Sequence, residues 1–281
     1  LTILLLIVAV AVAVAFCLGA RDARLPLNDY LYRYNEPLVL MDIVLCFVLS
    51  AYLYLASFFP YGKILAKGRN SGNAAHDFLM GRGLNPRWGL FDWKVFCELR
   101  PGLIGWMLLN AACLQEQYVV RGGSISGSMC LLNIFQVIYV WDALYQERAI
   151  LTTMDVTADT FGFMLVFGDL CWVPFTYSVP AKYLVHDDPE LSNLWLALIV
   201  GLYLFGYFIF RGANGQKDIY QRNPNDPRVA HLSYLQTKCG TRLLTLGWWG
   251  MARKINYTGD YLIGLTYCVL CGADSIVPYY Y

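Results

Sequence analysis

Ionisable side chains inside long apolar segments are the first candidates for chemistry in this chain of 281 residues. A charge in lipid is costly, so such a residue usually faces a polar cavity or a partner. The segment 129–148 is the most polar of these segments. At about 100° per residue, its polar side chains fall on one arc of a helix. They are Gln136, Tyr139, Asp142 and Gln146, with Glu147 at the edge of the arc.

This polar arc has two interpretations, which the sequence leaves open. In the first, the arc is a hydrogen-bonded seam between helices. In the second, it is the wall of a polar cavity in which a side chain donates a proton. Burial favours the protonated form of a carboxyl group, which can then act as an acid. The candidate catalytic residues are therefore Tyr139, Asp142 and Glu147.

A basic segment, residues 211–224, directly follows an apolar run. Small residues and an asparagine precede Lys217 and Arg222 in this segment. Small residues permit close backbone approach, and lysine and arginine can hold phosphate. Basic residues beside a membrane span more often serve only to set its orientation. Phosphate binding by Lys217 and Arg222 is thus one of two interpretations.

A second mixed segment, residues 247–260, begins with paired tryptophans, which are typical of a membrane interface. Trp249 is followed within twelve residues by Asn256, Tyr257 and Asp260. Such a mixture can stack on an aromatic ring and hydrogen-bond an amide or a ribose. The chain has no GxGxxG after a strand and no Walker loop, so a nucleotide would bind in an unconventional way.

Long apolar runs must position these residues, because the chain is 58% hydrophobic and only 15% charged. A soluble domain carries about a quarter charged residues, and one bilayer crossing needs about 20 mostly apolar helical residues. The runs are long and unalternating, which favours helices over a barrel. We expect an all-α, polytopic integral membrane protein of seven to eight spans. The candidate spans are 1–19, 38–59, 103–120, 129–148, 160–185, 192–211 and 257–281, with the shorter 243–252 ambiguous.

Basic residues are unevenly divided between the loops on the two sides. Loops 60–102 and 211–256 hold 7 and 8 Lys or Arg residues, whereas loops 20–37 and 121–128 hold 3 and 1. The positive-inside bias places the first pair in the cytoplasm. We expect residues 1–281 to form one membrane domain, cut at both ends.

Composition argues against several other classes of protein. The net charge of +1 argues against a nucleic-acid binder, which would show a basic surplus. The three histidines are scattered and most of the nine cysteines lie in apolar runs. A dedicated metal site and a disulfide framework are therefore not expected.

Four ordered blocks resemble the sterol reductase family, which includes sterol Δ14-reductases, the lamin B receptor's membrane domain and 7-dehydrocholesterol reductase. The blocks are His76–Arg87, Leu151–Phe163, Gly212–Pro227 and Trp248–Asp260. The sequence Gly-Ala-Asn-Gly-Gln-Lys-Asp in the third block most resembles the Δ14 branch of the family. The resemblance implies about ten spans when complete and NADPH delivered from the cytoplasm.

The resemblance also implies roles for individual residues. It implies cofactor contacts at Lys217, Leu244, Trp249, Asn256 and Asp260, with Tyr257 in the same block. Tyr139 matches a tyrosine near the reacting centre of the family. Three features depart from the pattern. The family's common Arg-His-Pro-Asn-Tyr reads Arg253-Lys254-Ile255-Asn256-Tyr257 here, which keeps Asn256. Gln221 stands where the family usually carries a second phosphate-binding arginine, so Arg222 is expected to take that role, and the family's C-terminal signature is missing.

The implied function is NADPH-dependent reduction of a sterol ring double bond, most specifically Δ14, in sterol biosynthesis. The sterol would enter from the bilayer lipid, and the host membrane would be the endoplasmic reticulum, with inner nuclear and bacterial inner membranes as alternatives. The oligomeric state stays open. Two other functions are considered: an isoprenylcysteine-type membrane methyltransferase, and a non-catalytic receptor or scaffold of the same fold.

Overall fold

A computed structural model describes residues 26–59, 71–151, 153–237, 240 and 242–280. The described chain is mostly helical, which confirms the predicted all-α membrane class. It falls into two compact units, the first up to Asp188 and the second from Pro189 to Tyr280.

The first unit contains most of the helices. Its elements are α1 (Pro26–Arg33), α2 (Asn35–Ala56), α3 (Ala74–Met80), β1 (Arg87–Trp88), β2 (Phe91–Asp92), α4 (Trp93–Leu99), α5 (Pro101–Val120), α6 (Gly127–Tyr145), α7 (Glu147–Ile150), α8 (Met154–Thr157), α9 (Phe163–Phe167), a π-helix (Gly168–Trp172), α10 (Val173–Tyr177) and α11 (Val179–Leu184). Strands β1 and β2 pair antiparallel.

The second unit is built on one long helix. Its elements are α12 (Asn193–Arg222), β3 (Tyr234–Gln236), β4 (Arg242–Leu244), α13 (Trp248–Met251), α14 (Ile255–Val269) and a 3-10 turn (Val277–Tyr279). Strands β3 and β4 form an antiparallel hairpin.

Four helical segments of the described chain are long and apolar enough to cross a membrane. They are Asn35–Ala56, Gly127–Tyr145, Phe163–Leu184 and Asn193–Arg222. Each overlaps a predicted span. The run 103–120 is also helical, as α5, and the run 1–19 lies outside the described residues. The total of seven to eight spans stays a prediction.

The predicted span 257–281 is wrong in its extent. Helix α14 has 15 residues and ends at Val269, three residues before Gly272. Gly272 adopts a φ of 77°, which interrupts right-handed helical geometry. The ambiguous run 243–252 is part of a strand and a short helix, so it is not a spanning helix.

Helix α12 is longer than the predicted span 192–211. It continues to Arg222, so most of the basic segment predicted as a loop is helical. It ends where Asn223 is extended before Pro224, because proline disfavours helical geometry in the residue before it. Its 30 residues extend about 45 Å, more than the roughly 30 Å bilayer core. The basic end of α12 can therefore project beyond the core.

Residues 73–87 have a turn-rich composition that predicts a non-helical loop, but they contain helix α3. The side chain of Asn73 caps this helix by accepting hydrogen bonds from the backbone N–H groups of Ala75 and His76, at 3.0 and 3.2 Å. Gly81 ends it with a φ of 86°. Both signals are local, and they outweigh the turn-rich composition on which the prediction rested.

The first two sequence blocks pack against each other through a pair of glycines. A Cβ added to Gly81 would lie 2.5 Å from the backbone nitrogen of Gly162. Because that atom belongs to the backbone, neither block could move aside without distortion. The Thr160 hydroxyl donates to the Met80 carbonyl at 2.6 Å across the same contact.

A fully buried lysine joins the same two blocks. The Lys94 ammonium donates to the carbonyl oxygens of Leu84, Val156 and Asp159 at 3.2, 3.3 and 2.6 Å. Its side chain is 0% exposed. A buried ammonium requires such acceptors to offset its loss of hydration. Lys94 is therefore a structural centre of the first unit.

The Asp77 carboxylate gives this region a predicted acid sensitivity. It accepts hydrogen bonds from the Ser71 hydroxyl at 2.7 Å and the Ser71 N–H at 2.9 Å. These bonds lower the pKa of Asp77 from 3.8 to about 2. Because the pKa is lower in the folded than in the unfolded protein, the ionised Asp77 carboxylate stabilises the fold above pH 3.8. This stabilisation is lost as the pH falls toward 2 and the carboxylate is protonated.

We therefore expect the stability difference between the wild type and Asp77→Asn to shrink as the pH falls from 5 toward 2. Denaturant unfolding midpoints measured in detergent at a series of pH values test this. Asp187→Asn, which removes an exposed carboxylate, is the control. A wild-type advantage over Asp77→Asn that is the same at every pH would contradict the role of the carboxylate charge.

Candidate functional site

In the second unit, a glycine pair sets the crossing of α12 and α14. A Cβ added to Gly259 would lie 2.5 Å from the backbone nitrogen of Phe210 and 2.7 Å from the carbonyl oxygen of Gly206. Both neighbours are backbone atoms, so a larger residue would push the helices apart. This close approach brings the start of α14 against the basic part of α12.

Three hydrogen bonds connect the third and fourth sequence blocks at this crossing. The Trp249 indole donates to the Ala213 carbonyl at 3.0 Å, and the Asn256 amide donates to the Asn214 side chain at 3.2 Å. The Gln216 side chain accepts from the backbone N–H of residue 248 at 3.0 Å. We call Asn214, Gln216, Lys217, Trp249 and Asn256 the α12–α14 cluster.

Lys217 is the exposed cation of this cluster. Its Nζ lies 5.4 Å from the centroid of the Trp249 ring, within the range of a cation–π interaction. The side chain remains exposed to solvent. An anion can therefore reach the ammonium beside the indole without breaking the indole's hydrogen bond.

Close packing at two further glycines shapes the cluster. A Cβ added to Gly212 would meet the indole of Trp248 at 2.7 Å. Gly247 has a φ of 68°, and a Cβ there would collide with the Gln216 side chain. Both positions therefore require glycine to let the tryptophan pair approach α12.

Arg222 differs from Lys217 in its surroundings. Its guanidinium contacts both carboxylate oxygens of Asp218, at 3.0 and 2.9 Å. Five positions along a helix turn it about 140° away from Lys217 around the axis. Gln221 is four positions from Lys217, so the two side chains are only about 40° apart around the helix axis. A phosphate held by Lys217 and Arg222 together would have to displace Asp218 and span two sides of α12.

Leu244 belongs to the hairpin of β3 and β4 and is partly buried. It packs against a small core formed by Tyr220, Val229 and Leu232. Tyr220 lies on α12, three residues beyond Lys217, so this core ties the hairpin to the basic part of the helix. Leu244 is thus held beside α12 by packing.

The last two predicted cofactor residues lie in the first turns of α14. Tyr257 is 59% exposed, and the Lys254 ammonium lies 4.8 Å from its ring centroid. Asp260 is half-buried, one turn further along α14. Both lie on the helix that carries Asn256, and the exposed Tyr257 ring is open to a ligand.

In the first unit, the polar arc of α6 is a hydrogen-bonded seam at Gln136. This side chain is 0% exposed and accepts from the Trp106 indole at 3.1 Å and from the Asn110 amide. It donates to the Tyr177 carbonyl at 3.2 Å. The seam interpretation is therefore correct at this position, where α5, α6 and α10 meet.

Tyr139 and Asp142 continue the arc and are only partly buried. The Tyr139 ring lies 6.1 Å from the Trp106 ring, next to the seam. Because both side chains are partly exposed, they can still line a polar cavity, as the second interpretation requires.

Glu147 is not on the same helix as Tyr139, contrary to the predicted segment 129–148. Helix α6 ends at Tyr145, and Glu147 begins the separate helix α7. Its carboxylate accepts a hydrogen bond from the Arg100 guanidinium at 2.8 Å. Glu147 thus takes part in an ion pair with the residue that precedes α5.

Comparisons with known proteins agree on one family. The model of the ergosterol biosynthesis ERG4/ERG24 family matches residues 3–281. Delta(14)-sterol reductase erg24 of Schizosaccharomyces pombe is 48% identical over 276 residues, 98% of this chain and 64% of that protein. Delta(14)-sterol reductase TM7SF2 of Mus musculus is 49% identical over 245 residues, 87% of this chain and 58% of that protein. Delta(14)-sterol reductase LBR of Gallus gallus is 47% identical over 253 residues, 90% of this chain and 40% of that protein. The chain thus spans between 40% and 64% of the length of these relatives.

Proposed function

The chain belongs to the ergosterol biosynthesis ERG4/ERG24 family, and on this basis we propose that it reduces a sterol ring double bond with NADPH. Relatives with about half of their aligned residues identical are named as Delta(14)-sterol reductases, which favours the Δ14 bond. The observation that carries the proposal is the α12–α14 cluster, in which two distant sequence blocks meet around an exposed lysine and an indole.

The residues of the cluster fit the chemistry of a dinucleotide. Phosphate needs a cation that water can reach, and Lys217 provides one. A nicotinamide or adenine ring needs an aromatic or amide surface, and Trp249 and Asn256 of the cluster provide it together with Tyr257, which follows on α14. NADPH, when bound, supplies a hydride.

The predicted cofactor residues then divide into two groups. Lys217 holds phosphate, and Arg222 adds a second contact once its guanidinium leaves Asp218. The remaining residues position the adenosine and nicotinamide parts: Leu244, Trp249, Asn256, Tyr257 and Asp260. This division follows from their types, exposure and places on α12, α14 and the hairpin.

The sterol alkene must be protonated before it accepts a hydride, because an isolated double bond is not electrophilic. The protein therefore has to bring an acid to one alkene carbon, which leaves the cationic charge on the other carbon. We assign the proton to the Tyr139 hydroxyl, with Asp142 next along the arc and Glu147, held by Arg100, on the following helix α7. Overall, the alkene gains one proton from Tyr139, whose hydroxyl is restored by a proton from solvent, and one hydride, which bound NADPH would supply.

The sterol is dissolved in the bilayer and the cofactor in water, so the reaction must take place where the two phases meet. We propose that the sterol enters laterally from the bilayer and that the basic blocks lie on the cytoplasmic side, where NADPH is present. The endoplasmic reticulum is the proposed membrane. Epitope tags in the loops 71–92 and 186–192, tested for accessibility in sealed microsomes, should lie on opposite sides.

Replacement of Tyr139 by phenylalanine tests the proton assignment. We expect kcat to fall about 100-fold or more, the usual contribution of a general acid, while NADPH affinity stays unchanged. Tyr145→Phe is the matched control, because this tyrosine lies on the same helix and is 69% exposed. Unchanged turnover of Tyr139→Phe would remove this residue from the mechanism.

Ligand titration separates the proposed function from its alternatives. Energy transfer from tryptophan to NADPH should be saturable, because Trp249 lies at the proposed site. A methyltransferase would instead bind S-adenosylmethionine, and a scaffold would bind neither compound. A parallel product assay with Δ14, Δ7 and Δ24 sterols should show that the double bond of the Δ14 substrate is reduced fastest.

A further inference from the structure

A polar cavity of about 450 Å³ lies in the first unit, where the ends of several helices meet. Its lining residues are Tyr32, Arg33, Asn35, Glu36, Glu116 and Lys182. None of them has a role in the proposed hydride or proton transfer. The cavity is large enough for a small polar group.

The cavity carries both signs of charge. Arg33 and Lys182 contribute two cations, and Glu36 and Glu116 contribute two carboxylates. The Lys182 ammonium is held loosely, 3.2 Å from the Asn35 side chain and 4.0 Å from the Glu36 carboxylate. A site lined in this way complements a ligand that carries a negative and a positive charge close together.

One wall of the cavity is fixed by a hydrogen bond. The Tyr32 hydroxyl and the His186 Nε2 atom are 3.0 Å apart, which joins α1 to the segment after α11. Burial raises the pKa of Tyr32 to about 12, so its hydroxyl stays protonated at physiological pH. The wall therefore offers a neutral hydroxyl beside the charged groups.

The cavity lies where a candidate membrane span begins. Asn35 and Glu36 are the first two residues of α2, one of the four candidate spans. Lipid headgroups occupy this level of a bilayer. From Glu36, a row at four-residue spacing runs along the helix with Leu40, Val44 and Val48, which are 67%, 62% and 58% exposed. These exposed apolar side chains form a continuous surface along α2 from the cavity toward the bilayer core.

We propose that this cavity binds the zwitterionic headgroup of a phospholipid whose acyl chains lie along the α2 row. Arg33 and Lys182 contact the phosphate, and Glu36 and Glu116 contact the ammonium. The bound lipid would connect α1, α2, α5 and α11 at one end of the unit. It is a resident lipid, distinct from the proposed sterol substrate.

The test uses the purified protein, stripped of lipid in detergent, and native mass spectrometry to count bound lipid. Phosphatidylcholine should bind one to one, more tightly than phosphatidylglycerol, which lacks the ammonium. Soluble glycerophosphocholine should bind weakly, because it lacks the chains. Lys182→Gln should weaken phosphatidylcholine binding about tenfold, the loss expected for one charge-assisted contact. Arg148→Gln, an exposed change of the same charge, should not weaken it.

Charge reversal keeps the test independent of folding defects. The Glu36 side chain is 89% exposed, so Glu36→Lys should fold and should shift the preference toward phosphatidylglycerol. Three results would overturn the proposal: equal binding of both lipids by the wild type, equal losses in Lys182→Gln and Arg148→Gln, or stoichiometric displacement of phosphatidylcholine by a sterol. The last would make the cavity a sterol site.

Discussion

Lys217→Ala should weaken NADPH binding about 10- to 100-fold and leave the fold intact. A charge-assisted contact to phosphate contributes about 1.5–3 kcal/mol, which corresponds to this change in the dissociation constant. The Lys217 side chain is exposed beside the Trp249 ring, and the indole is held separately by the Ala213 carbonyl. Removing the ammonium therefore leaves the rest of the cluster in place. Fluorescence titration with NADPH at constant salt measures the effect.

Two further variants make the Lys217 result specific. Arg228→Ala removes another cation of the second unit, one that is paired with Asp226 at 2.9 Å, and should leave NADPH affinity within about twofold. Lys217→Arg should retain most of the affinity, since arginine also binds phosphate. If Lys217→Ala and Arg228→Ala gave equal losses, the effect would be one of net charge, and the phosphate assignment would fail.

Lys94→Met should destabilise the protein by about 3 kcal/mol or more. The side chain is 0% exposed, and the change removes the donor that satisfies the carbonyl oxygens of Leu84, Val156 and Asp159. A buried acceptor left without a donor costs about 1–3 kcal/mol. Unfolding in detergent, followed by circular dichroism, measures the loss.

Lys254→Met is the control for this stability measurement. It makes the same chemical change at an exposed lysine that contacts only the face of the Tyr257 ring among the interactions described above. We expect a change of less than about 1 kcal/mol there. Equal stability losses in the two variants would show that the hydrogen bonds of Lys94 to the three carbonyl groups do not stabilise the fold.

Hydropathy predicted the ends of the candidate spans within a few residues, because both signals on which it depends are local; the exception is α12, which continues past the predicted end at residue 211 to Arg222. The apolar side chains seek lipid, and each helix satisfies its own backbone hydrogen bonds. The same reasoning failed at α14, where the apolar run 257–281 continues past the helix. The helix stops there because of backbone geometry near Gly272, which hydropathy does not measure. It also missed α3, whose Asn73 cap was visible in the sequence.

The residue types of the candidate site were predictable, but their pairing was not. Asn214 and Asn256 are 42 positions apart, and their hydrogen bond depends on the crossing at Gly206 and Gly259. No spacing rule predicts such a crossing. The Asp218–Arg222 pair, by contrast, has the i, i+4 spacing of helical ion pairs and could have been predicted once the helix was extended.

Transfer of label from cofactor to sterol tests the central claim most directly. Membranes that contain the protein are incubated with a Δ14 sterol and NADPH deuterated at the hydride position of the nicotinamide, and the product is analysed by mass spectrometry. We predict a saturated product with one deuterium at C14, since protonation at C15 leaves the more substituted carbon to receive the hydride. A reduced product without deuterium, or no reduced product from the Δ14 sterol, would contradict the account.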